Sequence, residues 1–427
     1  MINLYPGTQN YYIYLVKLAL KRAMFYNGEM SDIYDENLKR AVIDFKKSAN
    51  LSENGDIDSS TWQLLEPYLY GYNTYRVEEG DSVYKISEKL NSAPELIYTA
   101  NPDIEPYNLK VGEIIFVPYK FSLVPGDIPY SYALTQYIVF GLKARYPFIE
   151  TSTAGTSVMG KQLYSVKIGQ GGKEVFYNAS HHANEWITTP VLLKFIEDYS
   201  NSYATGKTIY GKNAKELYDM ATLYVIPLVN PDGVDLVTGA IMQDTDFYRN
   251  ALEISKNYPD IPFPDGWKAN IEGVDPNLSY PAMWERAKET KYSLGFTSPA
   301  PRDFVGNEPL AAPESRSVYD FTKKHNFRLT LSYHTQGSVI YWKFADYNPE
   351  GSYEIALEFQ KASGYEVSET PTVSGYAGYK DWFIMEYNLP GYTIEAGQGE
   401  NPLPLSQLNR IYNDNLGILI LGITLSK

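Results

Sequence analysis

The sequence predicts an α/β protein: a mixed, mostly parallel sheet flanked by helices, preceded by a small helical module and a second small module of strand, two helices and strand. Three observations lead there. At 427 residues the chain exceeds the ~100–150 residues that one compact core needs. From Tyr132 to Lys427, short apolar strands alternate with helical patterns. Before that lie two segments of different periodicity, closed by a stretch with Pro125, Gly126 and Pro129. The expected division is a helical domain at 1–71, a second module at 74–118, a linker at 119–131 and a large domain at 132–427.

Composition narrows the function. Hydrophobic residues at 44% and charged residues at 21% suit a folded globular protein, which excludes a mostly disordered chain. Forty tyrosines offer rings that stack on ligands or pack in cores. The net charge of −14 repels phosphate backbones and no basic stripe offsets it, so no nucleic-acid partner is expected. With no cysteine, disulfides, thiolate metal sites and a Cys nucleophile are impossible, and a metal site must use His and carboxylates. Near the start, Lys17, Lys21 and Arg22 interrupt the apolar stretch at helical spacing. That reads as an amphipathic helix, with no signal peptide and no membrane span, and hence no membrane partner.

The elements follow in order. Residues 11–65 are helical, with Leu15, Leu18 and Ala19 on one face and Leu38, Val42 and Phe45 on another. In residues 74–118 a strand turns at Glu79-Gly80-Asp81-Ser82 into a helix carrying Val83, Ile86 and Leu90; a second helix follows Pro94, and Ile114–Val117 closes as a strand. Beyond the linker, strands are expected at 174–179, 223–229, 329–333 and 392–395, with helices at 188–199, 314–324 and 353–362 and a last one within 405–425.

Only four histidines exist, at 181, 182, 325 and 334. His182 and Glu185, three apart just after a strand, project to one side of a first helical turn, so imidazole and carboxylate can reach one cation. His334 closes the strand RLTLSYH and can complete a His₂Glu set. Three ligands with an open position suit a catalytic zinc, because water there becomes acidic enough to attack near neutral pH. His181, at i to i+4 from Glu185, is the competing first ligand; an outer role suits it better. His325 lies at a helix end, where a cation complements the macrodipole. Glu395, at the end of a short strand in PGYTIEAGQG, has no adjacent cation in sequence; beside a metal-bound water such a carboxylate becomes a general base.

Three resemblances rest on these residues. Ala41, Val42, Phe45, Asn54, Gly55, Thr61, Trp62 and Leu65 resemble the peptidoglycan-binding helical module, although a generic three-helix bundle would use Trp62 and Leu65 as core. Gly80-Asp81-Ser82, Asn101-Pro102, Leu109, Gly112 and Pro118 resemble the LysM module, which implies a βααβ fold binding N-acetylglucosamine-containing glycans. His182-x-x-Glu185, Asn230-Pro231-Asp232-Gly233, Gly273-Val274-Asp275-Pro276-Asn277, His334 and Thr393-Ile394-Glu395 together resemble the zinc metallocarboxypeptidase family. That resemblance implies an eight-stranded mixed sheet, one Zn²⁺ per chain held by His182, Glu185 and His334, and Glu395 as base.

One departure bears on substrate. In the family's carboxypeptidases an arginine follows the motif Asn and the pair grips a terminal carboxylate; here Asn277 is followed by Leu278. The segments GWKANIEGVDPNLSYPA, APRDFVG and LTLSYHTQGSVIYW, with the two upstream modules, resemble a subgroup, the γ-D-glutamyl-L-diamino acid endopeptidases of endospore-forming bacteria. The implied activity is hydrolysis of the γ-D-glutamyl to diaminopimelate amide, with peptidoglycan peptides and glycan strands as partners. Candidate cations for the substrate carboxylates are Arg302, Arg249 and Lys268, with Asn277 as a further contact and Tyr376 as the candidate tyrosine over the substrate. The rival readings are a zinc carboxypeptidase acting on ordinary peptides and a non-catalytic wall-binding protein. The expected location is cytoplasmic or a sporulation compartment, in association with the wall.

Overall fold

The computed structural model describes residues 2–105 and 108–426 and divides into two compact units, 1–128 with 136–150 and 129–135 with 151–427. Pro106 and Tyr107, inside the expected second module, lie outside the described residues.

In the first unit, helices Tyr12–Arg22, Glu36–Ser48 and Ser59–Tyr70 bury Leu15, Leu18 and Ala19, then Leu38, Val42 and Phe45, and then Trp62 and Leu65. Those are the expected apolar faces. Each of the latter two helices starts where an aspartate satisfies an orphan N–H: Asp35 accepts from Leu38 N at 2.7 Å and Asp58 from Thr61 N at 2.9 Å. Replacing Asp58 by alanine should lower the unfolding free energy by about 1 kcal/mol, read as a shift of the denaturant midpoint. An unchanged midpoint would show that the cap adds nothing.

The next module has the expected βααβ order. Strands Tyr72–Arg76 and Ile114–Pro118 pair antiparallel around helices Val83–Lys89 and Pro94–Ala100. Val77, Val83, Ile86, Ile97, Ile115 and Val117 form its core. Asn101 pins the second helix to the closing strand, accepting Phe116 N–H at 2.8 Å and donating to Phe116 O at 2.7 Å. The stretch read as a linker carries no regular element up to Ser131, yet Leu123, Val124 and Ile128 are buried.

The second unit holds an eight-stranded sheet, as the family resemblance implies. Its strands are β1 (Glu150–Thr156), β2 (Gln162–Ile168), β3 (Lys173–Ala179), β4 (Ala221–Ile226), β5 (Phe327–His334), β6 (Val339–Tyr341), β7 (Glu366–Ser368) and β8 (Gly391–Glu395). The order across the sheet is β7-β6-β8-β5-β3-β4-β2-β1. The central strands β8, β5, β3 and β4 run parallel, while β6 and β2 are antiparallel to their inner neighbours. Parallel strands covered on both faces bury both sides of the strand, so Asn178, Thr330 and Ser332 are buried as fully as the apolar residues beside them. Helices Thr188–Ala204, Pro313–Lys323, Ser352–Ser363 and Leu408–Leu425 match the expected ones to within a few residues, except that the first runs on to Ala204. Among the described residues no helix is long and apolar enough to cross a membrane.

Candidate active site

The parallel strands deliver the chemistry at their C-terminal ends, where open α/β sheets place their sites. Strand β5 ends on His334, and in β8 Glu395 sits directly opposite it in register. Strand β3 stops at Ala179; the chain then turns through Ser180, at φ 55°, into a 3₁₀ turn at Ala183–Glu185 with His182 at its head. In a 3₁₀ turn residues three apart eclipse, so His182 and Glu185 stand one above the other.

The three expected ligands converge. His182 Nδ1 lies 3.0 Å from Glu185 Oε1, His334 Nδ1 lies 2.9 Å from Glu185 Oε2, and the two ring nitrogens are 3.3 Å apart. Two donor atoms each ~2.0–2.1 Å from one tetrahedral zinc are about 3.3–3.4 Å apart, so the set fits that ion. Facing imidazole nitrogens also need a proton or a cation between them. Outer contacts fix the rings and turns. His182 Nε2 lies 3.2 Å from Asp275 Oδ1, the carboxylate–histidine arrangement that orients a metal ligand. Asn230 donates to both His181 O and Ala269 O at 3.0 Å, stapling the ligand turn to the loop that follows Trp267. Gly273, at φ 80°, closes the turn before Asp275, where a Cβ would sit 2.9 Å from Ala300 N.

The electrostatics match. Burial opposes charge on His182, but Glu185 and Asp275 outweigh it and hold the imidazole up at about 9. Against its own burial, Glu185 is held well below the carboxylate range by His182 and Lys268. Asp275 is likewise lowered despite burial, chiefly by His182. A buried surplus of carboxylate of this kind is what a divalent cation neutralises. Burial and then the charge of Glu185 push the Glu395 carboxyl up to about 8.

A cleft of about 570 Å³ opens over these groups and is lined by Glu395, Asn277, Lys268 and Arg302. Lys268 donates to Glu185 Oε1 at 2.8 Å, so this cation stands beside the metal ligands. Asn277 accepts Tyr379 N–H at 3.1 Å. The remaining candidates are elsewhere. Arg249 lies on the exposed helix Asp246–Ser255, its guanidinium on Asp244 O and Asp246 Oδ1, and Tyr376 packs against Phe344 and Arg286 outside this cleft. His181 is buried against Tyr280 Oη at 2.9 Å, and His325 lies 3.3 Å from Glu174 while stacking on Phe327. The roles of Asp275 and Asn230 were missed from sequence, where both were visible only as members of motifs.

Behind the cleft, Asn270 donates to Glu314 Oε2 at 3.0 Å and accepts the N–H groups of Glu272 and Val274, which shapes the loop carrying Lys268 and Asp275. Burial pushes the Glu314 carboxyl up to about 7. An acid raised in the folded state contributes stability below its unfolded value near 4.5 and loses it as pH rises through about 7. Glu314 should therefore remove on the order of 3 kcal/mol between pH 4.5 and 8. Denaturant titrations of wild type and Glu314→Gln across that range should show a shallower pH slope in the variant; parallel slopes would dismiss the effect.

Comparison with known proteins agrees with this geometry. A zinc carboxypeptidase family model matches residues 136–417, a peptidoglycan binding domain model residues 11–65 and a LysM domain model residues 75–118. The chain is 41% identical over 305 residues to gamma-D-glutamyl-L-diamino acid endopeptidase 1 of Lysinibacillus sphaericus, covering 71% of this chain and 75% of that protein. It is 40% identical to the uncharacterized protein YqgT of Bacillus subtilis (strain 168), covering 79% of this chain and 86% of that one. The crystal structure of carboxypeptidase A from Helicoverpa armigera superposes with a TM-score of 0.53 at 16% identity, over 91% of this chain and 95% of that one, a likeness of fold. Zinc is the metal these likenesses imply, and with the ligand set and the sheet in agreement the chain belongs to the zinc carboxypeptidase family of metallopeptidases.

Proposed function

We propose that this protein is a peptidoglycan peptidase that hydrolyses the amide between the γ-carboxyl of D-glutamate and a diamino acid in cell-wall peptides. The observation that carries the reading is the His182–Glu185–His334 set beside Glu395, on a chain that also bears wall-binding modules. Leu278, in place of the arginine after the motif Asn, argues against gripping an ordinary terminal carboxylate. The likeness to the Lysinibacillus sphaericus enzyme supplies the bond. In this reading residues 1–71, 74–118 and 132–427 act as helical wall-binding module, LysM module and catalytic domain.

His182 Nδ1, Glu185 and His334 Nδ1 would hold one zinc per chain. When bound, zinc supplies a Lewis acid for the carbonyl and acidifies water. Glu395 takes the proton of the attacking water and passes it to the leaving amine. Lys268 offsets charge developing on the carbonyl oxygen, Arg302 takes a substrate carboxylate, and Asn277 orients the peptide. The test is digestion of purified muropeptides with mass analysis. Cleavage after D-Glu that stops with a chelator is expected; release of one C-terminal residue would favour a carboxypeptidase, and no product would leave a binding protein.

The modules raise the local concentration of substrate on an insoluble wall. An excess of N-acetylglucosamine oligomer should therefore slow digestion of intact sacculi by tenfold or more and leave soluble muropeptides unaffected. Equal inhibition of both substrates would reject the tethering role.

A further inference from the structure

Arg302 lies in an irregular loop, yet its guanidinium is held. Its Nε donates to Asp303 Oδ2 at 2.5 Å. No hydrogen bond from its Nη groups is found among the described residues, and the side chain lines the cleft. Asp303 is 8% exposed and sits at φ 67°, a conformation that aspartate and asparagine tolerate better than most residues. Its other oxygen, Oδ1, accepts Lys291 Nζ at 2.5 Å, from a lysine side chain that is 7% exposed. Its own N–H donates to Asp275 Oδ2 at 3.2 Å, and Asp275 N–H returns to Phe304 O at 2.8 Å. The neighbouring backbone is laced to the loop bearing Lys268, whose N–H bonds Pro301 O at 2.7 Å.

From this geometry we infer that Asp303 is a positioning residue, clamping Arg302 through Nε so that its Nη edge meets a substrate carboxylate, while its backbone braces the carboxylate that orients His182. The inference rests on the reading of Arg302 given above. Charge explains the need for Lys291. An Arg302–Asp303 pair alone is neutral and would attract an anion weakly; with Lys291 buried behind it the triad carries +1, presented at the cleft. Clamping Nε also fixes a side chain that otherwise loses rotamer freedom on binding. The substrate tripeptide carries three carboxylates that could meet this edge, one on D-glutamate and two on diaminopimelate.

The experiment compares four substrates for kcat and KM: L-alanyl-γ-D-glutamyl-meso-diaminopimelate, and the same peptide with a carboxamide on the D-glutamyl α-carboxyl, on the diaminopimelate carboxyl next to the scissile nitrogen, or on the distal diaminopimelate carboxyl. The wild-type enzyme should favour the acid over one carboxamide by about 10–100-fold, which identifies the carboxylate. Arg302→Gln should abolish that preference. Asp303→Asn, which keeps the N–H and tolerates the same backbone conformation, should bring it to within about threefold of unity, with zinc content unchanged and no further change in the double variant. A merely structural defect would lower turnover of all four peptides and leave their ratios intact. A full preference in Asp303→Asn overturns the positioning role and leaves Arg302 standing; a full preference in Arg302→Gln, or none in the wild type, removes the reading of Arg302 itself. Should Asp303→Asn fail to fold, Lys291→Met serves instead: a preference cut severalfold supports the triad, and an unchanged one overturns it.

Discussion

Glu395→Gln is expected to lower kcat on the γ-D-glutamyl amide by about 10²–10⁴-fold while bound zinc stays at the wild-type level. Glutamine keeps the size and an acceptor oxygen but cannot take up a proton. Glu395 lines the cleft, partly buried at the end of its strand, and it does not belong to the ligand set. Burial and the charge of Glu185 make its conjugate acid weak, which suits a group that must take a proton near neutral pH and then release it. Zinc content and turnover, measured on the same preparation, separate the two roles. Near-normal turnover with zinc present would remove Glu395 from the mechanism, whereas lost zinc would make it a ligand.

Graded losses are expected along the metal side. Asp275→Asn should weaken zinc binding by about 10–100-fold, because the partner of His182 Nε2 no longer fixes the ring as strongly. Glu185→Gln should weaken it by more than that and abolish turnover. It replaces an anionic ligand with a neutral amide and removes the charge that balances the zinc and Lys268. Competition with a chromogenic chelator ranks the variants without reference to catalysis. Equal affinities would overturn the ordering of inner and outer carboxylates, and a wild-type affinity in Glu185→Gln would overturn the ligand set.

Much of this site was legible because the chemistry is scarce: with four histidines and no cysteine, few combinations can hold a metal. The strand that ends on His334 was legible for a different reason: LTLSYH alternates Leu329, Leu331 and Tyr333 with Thr330, Ser332 and His334, the period of two that marks a strand and sets His334 on one face. The outer strands were not. Strands β6 and β7 span three residues each, and β1 reads ETSTAGT, whose composition resembles a loop. The linker stretch was read from its prolines and glycine, but Leu123, Val124 and Ile128 are buried, Leu123 against Gly71 and Gly141, which are remote in sequence. The same limit hid Asp275 and Asp303. Asp275 meets a histidine 93 positions earlier, which no local period encodes. Arg249 and Tyr376 were chosen for charge and ring alone, and neither property specifies which way a helix or loop faces.

The pairing of His334 with Glu395 on adjacent parallel strands has a practical corollary. Neighbouring strands keep a spacing of ~4.8 Å through hydrogen bonds that loop exchange leaves untouched. The segment around 370–381, which lines the cleft but supplies neither a zinc ligand nor the base, can thus be transplanted from relatives with different tastes in wall peptide, while the hydrolytic step retains its alignment. Here selectivity and reactivity are separable engineering targets.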